Sequence, residues 1–222
     1  MKLKGLSVIV AAVGCCTLLL AQSLTYIKKP ASFTQWQEGD IIFQESISPQ
    51  CDAIQLASHS NWSHVGMLLK QNGQWVVLEA IHPVTFTPVN EFVSRGNGHF
   101  MVSRLRDTSV LTTDVLACMH KFGERQEGKY YDMEFEWSDD RMYCSELVYK
   151  LYLSCTGIEV GRPKPMREFD LSHPAVKEVM EERYDNHIPY DELMIAPGGI
   201  AECDRLVTVW EEPVQSAKFS KK

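Results

Sequence analysis

The sequence contains no C-x-x-C pair, no basic stripe, no internal repeat and no low-complexity tract. Cysteines without close pairing argue against a structural zinc site. Basic residues are outnumbered 22 to 29, the net charge is −7, and the only basic run is the terminal Lys218 to Lys222. That balance excludes a nucleic-acid partner and offers nothing to an anionic membrane surface. It hints instead at a cationic or amine-bearing ligand. No cofactor or metal is expected. The absence of repeats leaves one globular domain in 222 residues, with terminal extensions.

The extensions are legible from composition. Lys2 and Lys4 precede an uncharged run from Gly5 to Ala21, and Ala21-Gln22-Ser23 follows. This is the pattern of a secretory signal over residues 1–23. Cys15 in a lipobox-like Ala12-Val13-Gly14-Cys15, or an uncleaved anchor of about seventeen apolar residues, would export the chain equally. The protein is therefore expected in the periplasm or outside the cell, touching membrane only through such a leader. Residues 24–37 read as a linker arm, 38–211 as the domain and 212–222 as a polar tail. Beyond the leader lie five cysteines, an odd number, so at least one thiol stays unpaired; parity does not say which.

Within the domain, Trp137 to Tyr149 runs from an acidic loop into a helix, with Cys144 near the first turn and Leu147, Val148 and Leu151 at helical spacing. A helix N-terminus stabilises a thiolate. A buried cysteine on an apolar stripe would look the same, so the question is whether a base exists.

The strands Ser63–Lys70 and Trp75–Ala80 flank Gln71-Asn72-Gly73-Gln74, and Asn-Gly between apolar runs signals a type I′ hairpin. That turn pairs Gln71 with Gln74 and Gly66 with Glu79. Val65, Met67, Leu69, Val76, Leu78 and Ala80 then share the core face, and His64, Gly66 and Glu79 the other. His64 and Glu79 become diagonal neighbours, close enough for the carboxylate to orient the imidazole. An exposed ion pair on that face is the competing expectation. Further helices are expected over Asp52–Ser58, Asp107–Phe122 (ended by Gly123) and Pro174–Arg183. Strands are expected at Ile41–Phe43, Val84–Thr87, His99–Leu105 and Arg205–Trp210, and a helical turn at Val89–Ser94. The residues between Arg162 and Leu171, and between Ile188 and Gly199, read as loops.

Five segments carry a family resemblance: Gly39-Asp40-Ile41-Ile42-Phe43, His59 to Met67, Leu78-Glu79-Ala80, Gly128-Lys129-Tyr130-Tyr131-Asp132 and Ser138 to Glu146. Together they resemble the bacterial YiiX/YebB-like family, the circularly permuted papain-like branch of the NlpC/P60 superfamily. The resemblance implies an α+β fold with an antiparallel sheet packed against helices. It also implies a cysteine amidase or peptidase with Cys144 as nucleophile, His64 as general base and Glu79 as orienting residue, cleaving a peptide or cell-wall-related amide. Asp40 matches a family position near the site, though a turn role suits it equally. His59, Tyr131 and Trp137 complete the candidate substrate-binding residues. Competing readings are a lipid-directed acyltransferase or thioesterase, which an apolar groove beside Cys144 would favour, and a silent binding module. A metal site from His59, His64 and Glu79 is disfavoured, because the histidines do not share one strand face.

Overall fold

A computed structural model describes residues 35–185 and 187–212; the expected signal, most of the arm and all but the first residue of the tail lie outside the described residues. Its centre is a six-stranded antiparallel sheet. In chain order the strands are β1 (Ile41–Ser46), β2 (His64–Gln71), β3 (Gln74–Glu79), β4 (Thr85–Pro88), β5 (Gly96–Leu105) and β8 (Leu206–Glu212), arranged β4-β3-β2-β1-β5-β8. A two-stranded ribbon, β6 (Lys164–Pro165) with β7 (Leu193–Met194), stands apart. The helices are α1 (Pro49–Ser58), α2 (Val89–Ser94), α3 (Thr113–Gln126), α4 (Cys144–Thr156), α5 (Pro174–Tyr184) and α6 (Pro197–Ala201).

The Asn-Gly hairpin forms in the expected register. Gln71 pairs with Gln74 and Met67 with Leu78, and Asn72 and Gly73 both have positive φ, 50° and 77°. The face carrying Val65, Met67, Leu69, Val76 and Leu78 packs against α3 and α4 in the main core. The opposite face is not left to solvent. Trp36, Ile42, Leu68, Val77, Val89, Phe92, Phe100 and Val102 form a second core on it. Trp36, expected in the arm, is buried there and meets Trp75 and Phe100 edge-on at 6.2 and 6.4 Å. Alternation implies one wet face only when the other positions are polar, and here Leu68 and Val77 are not. The exposed ion pair is thereby ruled out, since Glu79 is fully buried.

Helix α3 starts later and ends later than expected. Thr112 caps it by accepting from the Val115 N–H, while Thr108–Val110 form a separate 3-10 turn. Gly123 lies inside the helix, and its role is close packing: a Cβ there would sit 2.7 Å from Phe86 and 2.9 Å from Leu78. The expected loops carry β6 and β7, with α6 beginning at Pro197. Cys118 and Cys155 form a disulfide that ties α3 to α4.

Candidate active site

Cys144 is the first residue of α4. Tyr143 before it is extended, and Glu146 reaches back to accept from the Tyr143 N–H at 3.3 Å, so the helix start is fixed by its own side chains. Leu147, Val148 and Leu151 are fully buried and hold the helix on the sheet. The preceding loop folds on itself through Met142 N–H to Tyr130 O (3.2 Å) and Asp132 N–H to Met142 O (3.1 Å), which brings Tyr131 beside the thiol.

His64 opens β2, opposite Gln44 of β1. Its Nε2 lies 2.6 Å from Glu79 Oε2, which leaves Nδ1 for the hydrogen bond with the Cys144 thiol. The imidazole stacks on Phe92 of α2, ring centroids 5.6 Å apart. Glu79 Oε1 accepts from Arg95, the residue that ends α2, and the Thr87 hydroxyl is a further partner. Gly66 keeps the strands close at this point, since a Cβ would fall 2.4 Å from Val77.

The electrostatics follow from these contacts. Burial alone pushes the Cys144 thiol up, but the charge and hydrogen bond of His64, with the N–H groups of Val65 and Ser145, bring it below its ordinary value. Burial alone pulls His64 down, yet Cys144 and Glu79 raise it to about 10. Burial also raises Glu79, and its donors His64, Thr87 and Arg95 reverse that, so it stays ionised. The two shifts run in the directions that favour a thiolate beside an imidazolium, with the Glu79 carboxylate behind. Tyr131 is held protonated well above the phenol range by burial and by the Cys144 charge. Its oxygen accepts from Gln50 Nε2 at 3.3 Å, so its own proton remains available to a third group.

A cleft with two unlike limbs meets at these residues, and Gln50, Ile54 and Tyr131 line both. The limb opening at Cys144 is apolar, walled by Ala53, Phe135, Met166, Val176, Met180 and Ile195, with Arg183 at its edge. The limb opening at His64 is more polar than the first, although mixed: Gln44, Ser46, Ser48, His82 and Arg95 line it together with Ile47, Ile81 and Met133. Residues on either side of Cys144 grip one wall of the apolar limb. Ser145 Oγ donates to Ile195 O at 2.6 Å, and the Ile195 N–H donates to Tyr143 Oη at 3.2 Å.

Of the seven candidates, Cys144, His64, Glu79 and Tyr131 come together. Asp40 does not join them. It lies at the other end of β1 from Gln44, fully buried, receiving two bonds from Arg104 at 2.7 Å and one from the Gln37 N–H at 2.8 Å. His59 is the left-handed C-cap of α1, exposed, 3.4 Å from Asp170. Trp137 packs edge-on against Tyr149 and lines neither limb. Arg95, Thr87, Phe92 and Gln50 escaped sequence reasoning. For Arg95 a signal existed, because a carboxylate buried between two strands needs more than one donor.

The family model for the permuted papain-like amidase enzymes, YaeF/YiiX, C92 family, matches residues 35–210. The chain is 41% identical to the uncharacterized protein YiiX of Escherichia coli K12 over 187 residues, 84% of this chain and 92% of that protein. It is also similar to the crystal structure of the metalloprotein yiiX from Escherichia coli O157:H7, at 42% identity and a TM-score of 0.77, covering 80% of this chain and 98% of that one. That relative is described as a metalloprotein. Among the described residues of this chain no group of three or more His, Cys, Asp or Glu side chains is arranged to hold a metal. Matched over most of its length by the family model and by a full-length relative, the chain belongs to the permuted papain-like amidase family, YaeF/YiiX, C92.

Proposed function

We propose that this protein is an exported cysteine hydrolase that cleaves an amide or ester whose acyl part is apolar. One observation carries the reading: the cleft opening at Cys144 is walled almost entirely by hydrocarbon, beside an imidazole backed by a buried carboxylate. The Cys144 thiolate attacks the carbonyl, and the oxyanion lies toward the Cys144 N–H at the helix start. The phenol of Tyr131, its oxygen already occupied by Gln50, supplies the second donor. His64 gives its proton to the departing group and then activates water to release the acid. The Cys118–Cys155 disulfide supports an oxidising compartment, in keeping with the expected signal over residues 1–23.

The apolar walls also favour the acyltransferase or thioesterase reading over peptide cleavage. Fluorogenic amides of a common amine, with acyl chains from acetyl to octanoyl, test the proposal. Each methylene that enters the apolar limb is worth about 0.8 kcal/mol, so kcat/KM should climb roughly three- to four-fold per carbon until the limb is filled. A flat series, or peptides turned over faster than acyl amides, would refute the acyl reading. Release of an acyl amine in place of the free acid when a second amine is added would identify a transferase.

A further inference from the structure

The two limbs differ in which catalytic group they contain, and this fixes the direction of the substrate. The apolar limb is lined by Cys144 and not His64; the polar limb is lined by His64 and not Cys144. In acylation the carbonyl carbon stays on sulfur, and the group that leaves must sit where the imidazolium can protonate it. The acyl chain therefore belongs in the apolar limb and the leaving group in the polar one. This rests on the hydrolase reading above.

The lining of the polar limb then says what leaves. Although acidic residues outnumber basic ones in the chain, no Asp or Glu is among the described residues lining this limb, whereas Arg95 and His82 are. Glu79 is close by, but it is fully buried beneath His64 and Arg95, while the Arg95 side chain is 39% exposed. One guanidinium nitrogen binds Glu79, and the side chain, which carries further N–H donors, lines the limb. Gln44, Ser46, Ser48 and Gln50 add neutral polar groups. We infer that the polar limb receives a small leaving group bearing an anion, so that the substrate is an acyl chain joined through an amide to an anionic amine. Arg95 is the residue that reads the anion.

The step balances with groups already present. Thiolate sulfur bonds to the acyl carbon as the C–N bond breaks, and the imidazolium proton passes to the departing nitrogen, releasing the anionic amine and neutral His64. Water then attacks the thioester, His64 takes its proton, the C–S bond breaks, and the fatty acid leaves as Cys144 recovers its thiolate.

The test uses the full chain with N-octanoylglycine, N-octanoyl-phosphoethanolamine and the neutral N-octanoylglycinamide. Two readouts are taken: octanoate release, and protection of Cys144 from iodoacetamide. A charge-assisted contact should favour at least one anionic substrate over the neutral one by about ten-fold in kcat/KM. Arg95→Gln should bring that ratio to about one, whatever it does to the absolute rate through Glu79, and Arg95→Lys should restore part of it. The carboxylate and phosphate arms identify which anion is read. Release without an anion preference, or a preference that survives Arg95→Gln, overturns this inference and leaves the hydrolase reading standing. Anion-dependent protection without release overturns the hydrolase reading, and the leaving-group role with it, while keeping Arg95 as the residue that binds the anion. Neither protection nor release overturns both.

Discussion

Two glutamates are fully buried near Cys144 and His64, and they meet opposite fates. Glu79 has a donor for each oxygen, His64 on one and Arg95 on the other, with Thr87 besides, and it is held below its ordinary value. Glu146, two residues past Cys144, has the Tyr143 N–H at 3.3 Å and Lys150 Nζ at 2.8 Å, and burial with the nearby charge of Asp132 raises it to about 7. Asp132 itself is fully buried, leaves Oδ2 without a hydrogen bond, and is likewise raised, chiefly by burial. Depth does not decide whether a carboxylate keeps its charge; the number and quality of donors does. The pair divides the labour accordingly. One glutamate holds the His64 imidazole, and the other shapes the start of a helix.

The comparison breaks most visibly in activity. His64→Ala and Glu79→Gln should each lower kcat/KM by about 10²–10⁴-fold, the first by removing the base and the second by removing its orientation, while Glu146→Gln should leave most activity in place. Acyl-amide hydrolysis measures all three. The same asymmetry should appear in thiol chemistry: Cys144 should be alkylated by iodoacetamide at pH 6 much faster than Cys51, and His64→Ala should erase the difference. Equal rates in the native protein would contradict the thiolate–imidazolium pair.

Next in size are the stability effects, and here the two glutamates should slope in opposite directions with pH. Glu146 binds its proton more tightly folded than unfolded, so its ionisation costs stability progressively from about pH 4.5 to about 7 and fully above. A rise from 4.5 to about 7, at about 1.4 kcal/mol per pH unit, amounts to about 3 kcal/mol. Glu146→Gln should therefore gain on the native protein by up to that amount across this window in urea titrations. Glu79 has a lowered folded value, so its contribution is complete above about pH 4.5 and is lost as pH falls through its folded pKa. The deficit of Glu79→Gln should thus shrink on acidification below pH 4.5. Parallel slopes for the two variants would refute the assignment.

Smaller effects sharpen the scaffold around the pair. Replacing Cys118 and Cys155 by Ala should cost about 2–4 kcal/mol and leave the catalytic thiol in place. Gly66→Ala should cost about 1–3 kcal/mol, since its Cβ falls 2.4 Å from Val77 and 2.9 Å from the Leu78 carbonyl, and should lower activity by displacing Glu79. Calorimetry on both variants checks the order.

How much of this was legible in the sequence varies with the range of the interaction. The Asn72-Gly73 turn is local, and its backbone demands fixed a register that placed Met67 opposite Leu78. The helix beginning at Cys144 was equally local. What the sequence did not disclose depends on distant segments. The second core needs Trp36 and α2 to close over Leu68 and Val77, and Arg95 reaches Glu79 only because α2 lies against that face. The apolar limb is assembled from α1, α5, the loop before α4 and the segment around Ile195, none adjacent in sequence. Asp40 shows the converse. It lies in a segment that carried the family resemblance, yet its two Arg104 bonds serve the fold.

The grip of Tyr143 and Ser145 on Ile195 has a consequence for synthesis. A nascent chain that has emerged only as far as α4 already holds His64, Glu79 and Cys144, but one wall of the apolar limb is still some fifty residues away along the chain. Until Ile195 arrives and accepts the Ser145 hydroxyl, Cys144 lacks one wall of its apolar cleft.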